Sequence, residues 1–327
     1  MAISDPMLIC GGAGYIGNSF CYCLKKEGYH PIIVDNLSKS DGKVVSDFEF
    51  YNYDIGDYDK LSSLIKRRKI DVVFHFSAFI EVSESVLYPE VYYENNTAKT
   101  ISLLKACIDS GCRYFIFSSS AAVYGIPDEI PIDEESLCFP INPYGKSKLM
   151  IENVLQDLEQ KKRLKSVILR YFNASGALPT LETGEAHQPE SHIIPNLLDV
   201  ALGRKEYFQI FGTDYPTYDG TCIRDYIHVE DLASAHLLSA KYLLENNKSE
   251  IFNLGSEKGY SIREIINKVE EITKKKINVI EGKRREGDPP VLIASSDKAK
   301  KILKWEPQHN LTSIIDTAWK WHKKRFG

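Results

Sequence analysis

The 327-residue sequence has no run of roughly 18 or more apolar residues, so no transmembrane helix is expected. Its opening stretch, MAISDPMLICGG, lacks the basic start and long apolar core of a secretory signal. Cys-x-x-Cys pairs are absent as well. Seven cysteines, an odd number, are scattered at positions 10, 21, 23, 107, 112, 138 and 222. That scatter argues against a disulfide framework or a zinc site and fits reduced thiols in the cytoplasm; no metal is expected. There is no excess of positive charge either. Lys and Arg number 41 against 45 Asp and Glu, a net charge of -4, which argues against a general nucleic-acid binder. No internal repeat or low-complexity tract appears, and 43% apolar with 26% charged residues is ordinary for a globular chain. The length suits one large domain or two modest ones.

What is present has a clear rhythm in the first half. Short apolar runs at 7–10, 31–35, 72–76, 114–120 and 166–172 read as buried strands. Between them, 15–28, 58–69, 88–110 and 144–160 read as helices; Leu61, Leu64 and Ile65 fall on one face of the second. Continuous apolar strands alternating with helices predict an α/β fold, a Rossmann-type doubly wound parallel sheet that binds ligands beyond the carboxyl ends of its strands. After Phe172 the texture changes to turn-rich stretches, with helices expected at 229–246, 261–274 and 311–325. The expected division is a nucleotide-binding domain over 1–172 and a smaller α/β substrate lobe over 173–327, with some segments returning to the first domain.

CGGAGYIG joins the first strand to the first helix, with Gly11, Gly14 and Gly17 at GxxGxxG spacing. The first glycine permits the tight turn, the second lets backbone approach a pyrophosphate, and the third allows close helix–sheet packing. A lone glycine triplet is weak evidence. Here the second strand ends in Asp35, at the distance where an acidic residue accepts hydrogen bonds from ribose hydroxyls and repels a 2′-phosphate, which favours NAD over NADP. Asp35 and Asn36 could instead merely cap a turn. Asp54-Ile55, after a third strand, are candidates for the adenine edge.

The second cue is NPYGKSKLM. Asn142-Pro143 is a helix start with proline in the first turn, so Tyr144 and Lys148 share a face one turn apart, while Lys146 points elsewhere. An ammonium near the ring, joined by a positive nicotinamide, would lower the phenol pKa from its usual value near ~10. Such a tyrosine can take a hydroxyl proton while hydride leaves the same carbon. A tyrosine and lysine four apart are, by themselves, usually just a charged surface helix. Beside them, the strand ending Ser118-Ser119-Ser120 puts hydroxyls at the ligand edge of the sheet; three in a row leave open which is functional.

These motifs, with VDNLS, HFSAFIEVSESV, YYENN, FIFSSSAAVYG, LRYFNASGA, IFGTDYPTYDGTCIRDYIHVEDLA, FNLG and RREGDPP in order, run along almost the whole chain. They resemble the extended short-chain dehydrogenase/reductase family, and within it the UDP-glucose (UDP-galactose) 4-epimerases. The resemblance implies Tyr144 as base, Lys148 as its partner and Ser120 as the serine of the site. It implies NAD held by Tyr15, Ile16, Phe76, Ser77, Ile80, Asn95 and Phe172 in addition to the glycine turn. It also implies a UDP-sugar substrate at Asn173, Arg224, Arg285 and Asp288, with Gln209 to Phe211 near the uracil. Two arginine forks suit a diphosphate, and a carboxylate suits a ribose. The implied chemistry is loss and return of hydride at carbon 4 through a transient 4-keto sugar, and the implied assembly is a homodimer through helices near 88–110 and 144–160. Tyr92, Tyr93, Leu103 and Leu104 offer apolar surface there, which core packing would explain equally well.

Some positions depart from that pattern. Cys10 replaces the usual threonine, Ser77-Ala78 replaces Ala-Gly, and Ile80 stands where some relatives carry lysine. His192 and Ile193 replace Asn-Leu; His192 could donate to a diphosphate oxygen or be a plain loop histidine. Leu292 lies where side-chain size is associated with sugar choice, and its modest volume implies acceptance of N-acetylated UDP-hexoses. A sugar-nucleotide 4,6-dehydratase is a competing reading, but Ala121 and Ala122 replace the acid and base it needs. A non-catalytic NAD-binding sensor is another, disfavoured because Tyr144, Lys148, Arg224 and Arg285 are all present.

Overall fold

The computed structural model describes residues 6–40, 42, 45–187, 189–285 and 288–327. The N-terminal Met1 to Asp5, and Glu286 and Gly287 within the RREGDPP motif, lie outside the described residues. Six strands of the first half, β1 (Met7–Cys10), β2 (Pro31–Asp35), β3 (Glu49–Asn52), β4 (Val72–His75), β5 (Tyr114–Ser118) and β6 (Lys165–Tyr171), pair in parallel. A seventh, Glu250–Leu254, comes from the second half and extends the sheet beside β6, giving the order seventh-β6-β5-β4-β1-β2-β3. The fold is thus a Rossmann-type α/β sheet. β1, β4 and β5 are buried along their whole length because helices cover both faces. On one face Phe20 and Leu24 of α1 (Tyr15–Lys26) pack with Leu232 and Ala235 of helix Val229–Asn246. On the other, Leu61, Leu64 and Ile65 of α2 (Tyr58–Arg68) pack with Leu103, Ile151 and Leu155.

The order reverses at β1: the chain moves to β2 and β3 on one side, then to β4, β5 and β6 on the other. Diverging connections leave a crevice at the carboxyl ends of β1 and β4, where such sheets take ligands. A second, four-stranded sheet roofs that edge. Its central strand Ile223–His228 pairs with Asn173–Ser175, Gly259–Ser261 and Val291–Leu292. Its core is apolar, with Leu197, Leu198, Ile265, Val269 and Ile314 among its members.

The helix expected over 88–110 is broken into Pro89–Tyr92, a wide π turn at Tyr93–Ala98, and Lys99–Asp109. Asn96 is the cause visible in the packing. Its side chain accepts from Phe79 N (2.8 Å), donates to Phe79 O (2.9 Å) and reaches Ser147 Oγ (3.2 Å). The widened turn aims Asn96 inward and sets Asn95 at the crevice, which regular helical spacing would not do. Helices Val82–Leu87, Ile193–Ala201 and Asp297–Leu303 went unread in the sequence because two are under eight residues and the third follows a patternless loop.

Candidate functional site

The crevice opens into a cavity of about 1020 Å³, lined from both halves of the chain. At its floor lies the glycine turn. Gly11 has φ +82, and a Cβ there would sit 2.5 Å from Ser77 N, so this position takes glycine only. At Gly17 a Cβ would fall 2.3 Å from Gly11 O, which is the close approach of helix to turn. Gly14 differs: its Cβ would meet nothing nearer than Gly11 O at 3.5 Å. Its face is open to the cavity, with the first amides of α1 behind it, and those donors suit a pyrophosphate.

Asp35 ends β2 at the same wall. One carboxylate oxygen accepts from Ala13 N (3.1 Å), the other from Leu37 N (2.8 Å). Burial raises its pKa, and these two amides oppose the rise. The carboxylate is therefore fixed beside the glycine turn with lone pairs to spare for ribose hydroxyls. Asn36 lies next to it on the wall, with Ile55. Asp54, expected at the adenine edge, does not line the cavity. It accepts from Asn36 Nδ2 (2.8 Å), Gly56 N (2.8 Å) and the Lys99 ammonium (2.7 Å), so it braces Asn36 from behind. The donors and acceptors present fit a dinucleotide.

Beyond the turn, the three serines separate by role. Ser118 Oγ pairs with His236 Nε2 at 2.9 Å, and His236 Nδ1 is bonded to Leu232 O at 2.7 Å, so the hydroxyl donates to Nε2. Ser119 donates to Glu152. Only Ser120 of the three faces the cavity, where it caps the short turn at Ala121–Val123 and acts to lower the Tyr144 pKa. Asn142 starts the next helix by accepting from Gly145 N (2.8 Å), and that helix, Pro143–Gln160, delivers Tyr144 and Lys148 to the same point. Lys148 Nζ donates to Ser118 O at 2.8 Å and stands 6.0 Å from the centre of the Tyr144 ring.

The electrostatics run opposite to the sequence expectation. Burial raises the Tyr144 phenol above 10.0, against the pull of Ser120, and nearby Glu81 raises it further. Burial also brings Lys148 down to about 7, against the pull of Glu152. Desolvation is the largest cause of both shifts, because burial penalises the charged form of each group. Glu152 is itself tied to Arg170, whose Nη2 lies 2.6 Å from Oε2 and whose Nε lies 3.1 Å from each carboxylate oxygen. This wholly buried pair was invisible in the sequence, being set by packing between a helix and β6.

Facing Tyr144 are residues of the second half. Asn173, His192, Arg224, Arg285, Asp288 and Leu292 all line the cavity, as do Tyr15, Ile16, Phe76, Ser77, Ile80, Asn95 and Phe172. Arg224 is ion-paired with Asp288 and also donates to Ile223 O (2.8 Å). Gln209 and Phe211, expected near the uracil, do not line the wall. The Arg285 guanidinium stacks over the Phe211 ring at 4.0 Å, so Phe211 shapes the site through that arginine. His192 is anchored through Nδ1 to Glu190 (2.8 Å). Sequence reasoning passed over Glu185 and His187, which line the same wall; the His187–His192 spacing was their only signal.

The comparisons agree with this geometry. Residues 7–255 match the NAD dependent epimerase/dehydratase family. The chain is similar to a UDP-glucose 4-epimerase of Rhizobium meliloti (strain 1021), 46% identical over 322 residues and covering 98% of each protein. Among solved structures it resembles UDP-glucose 4-epimerase from Brucella ovis in complex with NAD. There the TM-score is 0.94 at 42% identity, with 97% of this chain and 98% of that one covered. It also resembles the UDP-Glc/GlcNAc 4-epimerase of Campylobacter jejuni, with TM-score 0.85, 40% identity, and 97% and 99% coverage.

Proposed function

The chain belongs to the NAD dependent epimerase/dehydratase family, and we propose that within it the protein is an isomerase that interconverts UDP-glucose and UDP-galactose at carbon 4. The observation that carries this reading is a single cavity in which Tyr144, Ser120 and Lys148 stand between a dinucleotide turn and the Arg224–Arg285–Asp288 wall. NAD, when bound, supplies the acceptor and donor of the carbon-4 hydride. The Gly14 face and the α1 amides hold its pyrophosphate, and Asp35 takes its ribose. Tyr144 removes the proton from the carbon-4 hydroxyl and later returns it, with Ser120 sharing the hydrogen bond. Lys148 in its charged form stabilises the phenolate. The two arginines hold the diphosphate while the sugar turns over. Ala121 and Ala122 beside Ser120 offer methyl groups where a dehydratase needs an acid and a base.

Leu292, half-buried on the substrate wall, leaves room at carbon 2, which supports turnover of UDP-N-acetylglucosamine and UDP-N-acetylgalactosamine as well. Residues 1–172 supply the cofactor domain and 173–327 the substrate lobe, with 229–254 returning to the first. We assign the protein to the cytoplasm, in keeping with its seven free thiols; among the described residues no helix is long and apolar enough to cross a membrane. A homodimer is supported by exposed Val86, Leu87, Val91, Ile101 and Met150 on the 82–110 and 143–160 helices. Of the residues for which the sequence left dimer surface and core packing equally open, Tyr92, Leu103 and Leu104 are core. The test is conversion of UDP-galactose to UDP-glucose by purified protein, resolved by nuclear magnetic resonance. Tyr144→Phe should lose roughly 100-fold or more of the turnover while keeping its NAD. Unchanged turnover in that variant, or no conversion by the native enzyme, would refute the assignment.

A further inference from the structure

Two groups of imidazoles and carboxylates each bring three ligand atoms within 4.8 Å of one another: Glu185, His187 and His192, and His228, Glu230 and His309. They differ in what their ring nitrogens already do. His228 Nδ1 accepts from Glu230 N (3.0 Å), Nε2 lies 3.1 Å from Thr317 Oγ1, and the ring stacks on His309 at 3.8 Å. Coordination through either nitrogen of His228 would break the hydrogen bond that nitrogen already makes, so we read that group as a packed histidine pair.

In the other group the hydrogen bonds and ion pairs of the imidazole nitrogens, among the described residues, go to carboxylates, and the two rings lie 5.9 Å apart. His187 Nδ1 is 2.5 Å from Glu185 Oε1, His192 Nδ1 is 3.8 Å from Glu185 Oε2, and Glu190 Oε1 is 2.8 Å from His192 Nδ1. A tetrahedral zinc with bonds of about 2.0–2.1 Å sets its ligand atoms about 3.3 Å apart. The two Glu185–imidazole separations lie on either side of that value. Entry of a divalent cation would displace the proton shared between imidazole and carboxylate, leaving both as ligands. The frame is already built. Trp321 Nε1 holds Glu185 O at 3.1 Å, and Gly184 is packed so tightly on Trp321 that a Cβ would lie 2.4 Å from its ring. His192 is fixed at the start of helix Ile193–Ala201. Two nitrogens and a carboxylate oxygen suit zinc, whereas calcium and magnesium prefer oxygen alone.

We propose that Glu185, His187 and His192 form a site for a zinc-class divalent cation in the cavity wall, with Glu190 as a neighbouring carboxylate. Cysteine spacing carries no sign of such a site, because this donor set is carboxylate and imidazole from one loop. The proposal is independent of the epimerase reading. Its test is equilibrium dialysis of chelator-stripped protein against zinc chloride, with cobalt(II) as the spectroscopic probe. One cation per chain and a tetrahedral cobalt absorption band are expected in the native protein and in His309→Gln, and both should be lost in His187→Gln and in Glu185→Gln. No stoichiometric binding, or binding undiminished in His187→Gln and Glu185→Gln, or loss in His309→Gln, overturns the proposal. Circular dichroism and NAD content check the folding of each variant. If the loop variants misfold, anomalous diffraction at the zinc edge from native crystals decides. A peak among the three side chains upholds the site, and its absence there overturns it.

Discussion

Glu152 and Arg170 offer a quantitative test of what sits behind the proposed catalytic pair. Both are buried, at 0% and 3% exposure. Glu152→Gln preserves size and one acceptor oxygen but leaves the Arg170 guanidinium charged in the interior, with only neutral acceptors: the amide oxygen, Tyr124 OH (2.9 Å) and Glu134 O (3.5 Å). Removing one partner of a buried pair costs about 3–5 kcal/mol, because the surviving charge is desolvated and uncompensated. Arg170→Met should cost a similar amount for the mirror-image reason. Combining Glu152→Leu with Arg170→Met removes both charges. What then remains is the Ser119 hydroxyl without its acceptor, roughly 1–3 kcal/mol. Tyr124 keeps its bond to Asn253 Oδ1 (2.7 Å). The double variant should therefore be more stable than either single one. The assay is equilibrium urea unfolding by far-ultraviolet circular dichroism at one fixed NAD concentration, since bound ligand shifts apparent stability. A double variant no more stable than the single ones would show that uncompensated charge is not what destabilises them.

Three further outcomes follow from the geometry. Lys148 releases its proton near pH 7 when folded and near its ordinary 10.5 when unfolded, so over that window the unfolded chain binds more protons and this lysine's contribution to stability rises with pH. Lys148→Met should accordingly be most stabilised relative to the native protein at pH 6 and lose that advantage progressively as pH rises from about 7 toward 10.5; parallel urea midpoints between pH 6 and 9 would contradict the depressed pKa. Gly11→Ala forces a side chain into φ +82 and against Ser77 N, at a backbone cost of about 1–2 kcal/mol before the clash. NAD content per chain and melting temperature should both fall, and native values of each would exclude the tight turn. Leu292→Tyr should lower kcat/KM for UDP-N-acetylglucosamine relative to UDP-glucose, and an unchanged ratio would remove residue 292 from sugar choice.

Much of the frame was legible because it is written in local periodicity. The strands at 7–10 and 31–35 and the helix at 229–246 have the bounds their apolar patterning predicts, and the glycine spacing marks where phosphate is approached. Tyr144 and Lys148 share a face because they are four residues apart on a helix, which needs no tertiary information. The break near Asn96 was not legible, since its cause is a contact with Phe79 and Ser147 from other elements.

Local spacing along the chain thus determined the sheet, the phosphate turn and the pairing of phenol with lysine. Tertiary structure alone decided which serine faces the cavity, because His236 and Glu152 claim the other two from distant parts of the chain. It also decided the direction of the titration shifts. Spacing fixes how near two charges stand, but desolvation depends on what the folded chain lays over them, and here burial outweighs proximity.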